Sequence, residues 1–330
     1  MVIEIMTIST VCSIKFRTNI TKRLRRIPNA WHFRFDSAFV FTAQWFRLGG
    51  SVAHHLTRRY ISRRICSMYD EGHFKENSSL FESLVSAAVD VSDKSGGILT
   101  SGQRIEATKI YTRLTLSATT LERILPTTFG IWDFSSIAIL ARSFIETSHR
   151  YCYISEIELS EGELEFRRKL YFFHANMEKY RLYSSQPEHE VLESFKAGLP
   201  QSKKEIVESE FFFSLPKHMQ NKIKSGNTDM HVSDEVISKR FGLIKEQYSF
   251  YYRILSNHSH GSPLSTTSQS NIRGRGMKND AELFYITLTL QILNRYLSHV
   301  ISTQVALLSL EHECQDSLSL AKEAFIKSEI

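Results

Sequence analysis

Chain breaks are scarce in this sequence. Across 330 residues there are only 6 prolines and 14 glycines, the residues that end helices and shape tight turns. A sandwich or barrel of short strands needs turn signals every ten or so residues, and so many more of them. Between the breaks, apolar residues recur at three- and four-residue spacing, the period of a helix with one buried face. The expected fold is therefore all-α, a multi-helix bundle of long amphipathic helices. With 42% hydrophobic and 23% charged residues, the composition is that of a globular chain.

Charge is unevenly spread. The formal net charge is +6, yet residues 1–64 carry 12 Lys/Arg against only Glu4 and Asp36, so this segment is near +10 and the remainder near −4. The basic character, including Lys22-Arg23-Leu24-Arg25-Arg26, belongs to the N-terminus. We expect residues 1–75 to be a basic extension, partly helical or disordered, ahead of a helical domain over 76–330. Three readings of the first stretch remain open: a disordered arm, an Arg-rich organelle presequence, or translation starting later, at Met68. A basic arm suits nucleic acid, an anionic membrane or a transport receptor.

Cys12, Cys66, Cys152 and Cys314 form no C-x-x-C pair, which argues against a zinc ribbon, a redox dithiol or a disulfide framework. We expect no secretory leader, and, with no stretch of about 18 uncharged apolar residues, no membrane-spanning helix. A cytoplasmic location with reduced thiols is expected. Neither a cofactor nor a metal is expected.

The periodicity predicts helices over 78–93 with Ser78 as cap, 101–124 ending before Pro126, 133–156 capped by Asp133, and 161–184 opened by Ser160 and Glu163 as a capping box. A short helix ends near Gly198-Leu199-Pro200, and 202–232 is polar and irregular, with short helices. Helices follow at 233–240, 243–259, 279–309 and 313–328. Residues 261–278 form a Ser/Gly-rich loop, long enough for a functional role.

Two of these helices carry polar residues on apolar ground. Arg142, Glu146, His149 and Tyr153 share one face by their spacing, among Ile137, Ile139, Leu140, Phe144 and Ile145. Burial there would oblige Arg142 and Glu146 to pair. Arg253, Ser256, Asn257 and His260 share a face of the second helix, and His260 stands at its end beside the 261–278 loop. The expectation is that Arg142, Glu146, Arg253, Ser256 and His260 meet in one cleft, with His149, Tyr252 and Asn257 as further binding residues. The competing reading is that the stripes only brace helices, with the terminal histidine favoured by the helix dipole.

Two resemblances rest on these residues. Arg142-Ser143-x-x-Glu146, together with Tyr252-x-x-Leu255-Ser256-x-x-x-His260, resembles blocks of an uncharacterised bacterial all-helical domain family, over about 100–310. It implies an all-α fold and a bacterial source, and supplies no activity. Arg253-x4-His258, Arg253-x6-His260 and Arg142-x6-His149 are similar to the signature of HEPN (higher eukaryotes and prokaryotes nucleotide-binding) domains, many of them metal-independent ribonucleases of toxin and defence systems. That resemblance implies catalysis by Arg253, His258 and His260, with histidine as acid/base at a ribose 2′-OH and arginine on the phosphate.

No phosphate-binding G-x-x-x-x-G-K-[ST] or G-x-G-x-x-G occurs, no H-E-x-x-H, and no G-x-S-x-G elbow. Gly274-Arg275-Gly276 follows no strand, and Ser256 lacks the strand-turn setting of a hydrolase nucleophile. His312-Glu313-Cys314 are adjacent and point apart on a helix. The functional expectation is ligand or partner binding through the polar cleft, with RNA or a small anionic ligand as partner. The alternatives are a HEPN-like ribonuclease and a non-catalytic structural or interaction protein. A homodimer is also in play.

Overall fold

The computed structural model describes residues 69–100, 102–127, 130–185, 192–267 and 273–328. Expectations for residues 1–68, most of the expected 1–75 extension, lie outside the described residues, while residues 71–75 begin the first helix. Twelve α-helices are present among them: α1 Glu71–Ser95, α2 Gln103–Ile124, α3 Phe134–Ser155, α4 Glu161–Ser184, α5 Leu192–Val207, α6 Glu210–Ser214, α7 Lys217–Lys224, α8 Asp234–Ser238, α9 Lys245–Ser259, α10 Pro263–Thr267, α11 Asp280–Leu308 and α12 Gln315–Lys327. A 3₁₀ turn, Lys239–Phe241, follows α8. No strand occurs among the described residues, only an isolated bridge from Trp132 N–H to Gly276 C=O at 3.0 Å. The fold is all-α.

Helix starts follow side-chain chemistry. Asp133 accepts from Ser135 N–H and opens α3, and Ser160 accepts from Glu163 N–H and opens α4, as their spacing predicts. The first helix differs from expectation. Its cap is Asp70, whose carboxylate accepts from His73 N–H while the His73 ring reaches back, so Ser78 lies two turns inside. That helix also runs through Ser95, its last turn favoured by Lys94 near the carbonyl end. Pro200 does not end α5. Proline removes one helical hydrogen bond, but Leu199, Ile206 and Val207 pack on Phe166, Leu170 and Phe173 and hold the helix past it. The 261–278 loop contains α10, whose Ser265 donates to Ser262 C=O at 2.8 Å.

The centre is α11, 29 residues long and buried over most of its surface. It packs against α1, α2, α3 and α12, while α3 also packs against α2 and α9. Burial on several sides explains why α11 reads as nearly continuous apolar sequence. A smaller apolar cluster, Phe166, Leu170, Phe173, Ile206, Phe212 and Ile223, sits between α4, α5, α6 and α7.

One arginine fastens three segments. Arg295 of α11 is buried, and its guanidinium donates to the carbonyls of Phe241, Phe325 and Ser328. Gly242 follows with φ +71°, and a Cβ there would stand 2.1 Å from Arg295 Nη2. Only glycine suits both that backbone and that approach.

Candidate functional site

Helices α3 and α9 run antiparallel along each other, as three contacts in register show. His149 faces Tyr248 with ring centres 5.6 Å apart, Arg142 lies 3.7 Å over the Tyr252 ring, and Ser135 meets His258. The seam therefore has three stations.

The first station is sealed. His149 is wholly buried. Its Nδ1 lies 2.8 Å from Asp234 Oδ1 and its Nε2 lies 2.9 Å from the Tyr296 hydroxyl. A carboxylate only accepts, so Nδ1 carries a proton and both ring nitrogens are used. Phe241 stacks on Tyr296 at 3.8 Å and closes the far side. Burial alone would push the Asp234 carboxyl up. The hydrogen bond from His149 and the nearby Arg150 and Arg142 guanidinium groups outweigh it and hold the group below its ordinary value.

The second station is the expected ion pair. Arg142 Nη2 lies 2.5 Å from Glu146 Oε1, with Tyr252 beneath the guanidinium. Burial, then the Asp234 charge, raises the Tyr248 phenol above its ordinary value, so it stays protonated. The site residues Arg142, Glu146 and Tyr252 are thus brought together.

The third station opens on a cleft of about 370 Å³, lined among others by Asp133, Ser135, His258, Ser265, Arg273 and Glu282. Ser135 Oγ and His258 Nδ1 lie 2.9 Å apart, and the Phe134 ring packs edge-on against the imidazole at 4.6 Å. Burial, then the Arg273 charge, holds the His258 pKa below the ordinary histidine value, so the ring is neutral near pH 7. Glu282 is buried, accepts from Phe134 N–H at 2.8 Å, and lies 3.7 Å from Arg273 Nε. Burial raises its carboxyl pKa above the ordinary value despite these partners. Asp133 accepts from Ser135 N–H at 3.1 Å and from the Ser136 hydroxyl at 2.5 Å. The wall carrying Arg273 is pinned to the segment before α3 by the Trp132–Gly276 bond.

The remaining expected residues lie on another face of α9. Arg253 and His260 are exposed, and Asn257 donates to Arg253 C=O at 2.7 Å and accepts from the Ser262 hydroxyl at 2.8 Å. Among the described residues, the ion pair and ring contact of Arg142 are with Glu146 and Tyr252 and not with Arg253, Ser256 or His260. The stripe shares a face, as its period requires; Arg253 and His260 at its ends are exposed, while Ser256 and Asn257 are half-buried. The residues facing α3 are Tyr248, Tyr252 and His258 instead.

Sequence reasoning missed Ser135, Arg273 and Glu282 as neighbours of His258. Ser135 comes two residues after a legible cap. Glu282 stands in the first turn of α11, where acids suit the dipole, and nothing local marks it as a cleft wall. Among the described residues, no group of three or more His, Cys, Asp or Glu side chains could hold a metal ion. No described helix is long and apolar enough to cross a membrane.

Residues 128–275 match the model of a family of unknown function, DUF5677. The match spans α3 to α10 and so contains the whole α3–α9 seam, and it agrees with the resemblance to an uncharacterised helical family. No curated protein and no solved structure matches the chain.

Proposed function

We propose that the chain binds a small anionic ligand in the cleft between the start of α3, the end of α9 and the start of α11. The observation that carries this reading is the Ser135–His258 pair opening on a cavity walled by Arg273. Both cleft carboxylates accept main-chain N–H groups of α3, which supports reading them as scaffold. Arg142, Glu146 and Tyr252 act one station further along as the brace that keeps α9 in register.

The test is titration with acetate and with inorganic phosphate, followed by NMR of histidine-labelled protein. Saturable movement of the His258 imidazole signals is expected for one of these anions. Arg273→Gln should weaken it about tenfold or more, the worth of one charged hydrogen bond. Absence of movement for both anions at millimolar concentration, or equal binding by Arg273→Gln, would overturn the reading.

A second reading, a HEPN-like metal-independent ribonuclease, is favoured by one observation. Arg253 and His260 lie seven residues apart on a single exposed face of α9, open to a large substrate. The Arg142-x6-His149 version lends no support, because both His149 nitrogens are engaged in the interior. RNA cleavage in the presence of chelator, lost in His260→Ala and Arg253→Ala, is the expected result on this reading. Equal cleavage by wild type and variants would remove it.

A further inference from the structure

Most hydroxyls within the helices of this protein serve the helix itself. Ser117, Thr147 and Ser148 each donate to the carbonyl four residues earlier, the usual habit of such residues. Ser135 does not. Its hydroxyl meets an imidazole 123 residues away, at 2.9 Å. Neither partner is sealed, and both line the cleft.

We propose that Ser135 is a nucleophile and His258 its general base, and that the cleft hydrolyses small carboxylic esters. This rests on the reading of the cleft as an anion site, since the carboxylate product is such an anion. The geometry sets the proton route. With its own proton on Nε2, the imidazole accepts the Ser135 proton at Nδ1. The Oγ–carbon bond forms at the ester carbonyl and the ester C–O bond breaks. The proton moves from His258 to the departing alkoxide, which leaves as an alcohol. Water then attacks the acyl group, giving its proton to His258. The acyl–Oγ bond breaks, the carboxylic acid leaves, and Ser135 recovers its proton from the imidazole.

Charge in the cleft favours the same sequence. Arg273 lines the same cleft, and its guanidinium would stabilise the developing oxyanion. A histidine kept neutral by its surroundings is ready to accept a proton near pH 7. No carboxylate is hydrogen-bonded to Nε2 among the described residues, so the pair is a dyad and not a triad.

The experiment is labelling of the full chain with a fluorophosphonate probe, mapped by peptide mass spectrometry. One adduct on Ser135 is expected, absent in Ser135→Ala. In His258→Gln the labelling rate should fall by about 100-fold or more. In wild type the rate should rise through a midpoint below the ordinary histidine value of about 6.5. No adduct, an adduct elsewhere, or an unchanged rate in His258→Gln would overturn the proposal. Anion-induced movement of the His258 signals without an adduct removes the nucleophile and leaves the binding reading standing. Loss of both removes both.

Discussion

Arg167→Leu is expected to destabilise the protein by about 3–5 kcal/mol, the scale for breaking a buried ion pair on one side. The Arg167 side chain is 4% exposed. Its guanidinium donates to Glu163 Oε1 at 2.6 and 3.0 Å, to Glu156 Oε2 at 2.7 Å and to Tyr153 C=O at 2.8 Å, and it lies 4.5 Å from the Tyr153 ring centre. Arg240 also reaches Glu156 at 2.5 Å. The replacement therefore leaves Glu156 with one cation and Glu163 without its closest one. Urea unfolding at pH 7 checks this, with Arg168→Leu as control. Arg168 pairs with Glu165 at the surface, where such pairs contribute at most about 1 kcal/mol. Equal losses in the two variants would show that the Arg167 cluster is not a point of stability.

Stability should also fall steeply in mild acid. His231 is held down to about 4, by burial first and then by the Arg167 charge. His299 is held down to about 4, by burial and then by Arg240 and Arg295. Both rest in aromatic surroundings, His231 against Phe166, Phe211 and Tyr153, and His299 against Phe241 and Phe325. Glu163 faces His231 at 3.5 Å and offsets part of the effect. An unfolded histidine titrates near 6.5, so between about 6.5 and 4 the unfolded chain binds more protons than the native one. The contribution is thus complete above pH 6.5 and is lost as the pH falls towards 4. By pH 5 the loss is about 2 kcal/mol per histidine. Glu282 acts in the opposite sense, because its carboxyl pKa is raised by burial. Unfolding curves at pH 7 and pH 5 read the net effect. His231→Gln should lose part of the difference, and a pH-independent wild type would rule the mechanism out.

Much of the helical plan was legible because it depends on short-range rules. Asp133 and Ser160 announce their helices, and Gly242 and Gly226 mark breaks with positive φ. The start of α1 was harder to read. Its capping box uses His73 where a glutamate or glutamine is the familiar signal. Pro200 misled because a single lost hydrogen bond was weighed without the apolar contacts on either side of it. The candidate site divides along the same line. Arg142 and Glu146 pair at four-residue spacing, and that spacing is visible in the sequence. Periodicity says which residues share a face and nothing about what the face meets. Arg253 and His260 could therefore be grouped correctly and still point outward. The Ser135–His258 contact depends on two helices meeting across more than a hundred residues, and no local pattern encodes it.

The packing of α1 has a consequence for how the chain is made. Its partners are α2, next in sequence, and α11 and α12, about two hundred residues later. During synthesis the apolar face bearing Phe81, Leu84, Ala88 and Val91 leaves the ribosome long before the surfaces that cover it. Contacts of such separation form slowly, and the uncovered face is open to wrong associations while it waits. The Arg295 fastening falls at the same late moment, because it needs the Phe325 and Ser328 carbonyls. Assembly of this bundle therefore waits for α11 and α12, and the α3–α9 seam settles against α11 only once that helix has emerged.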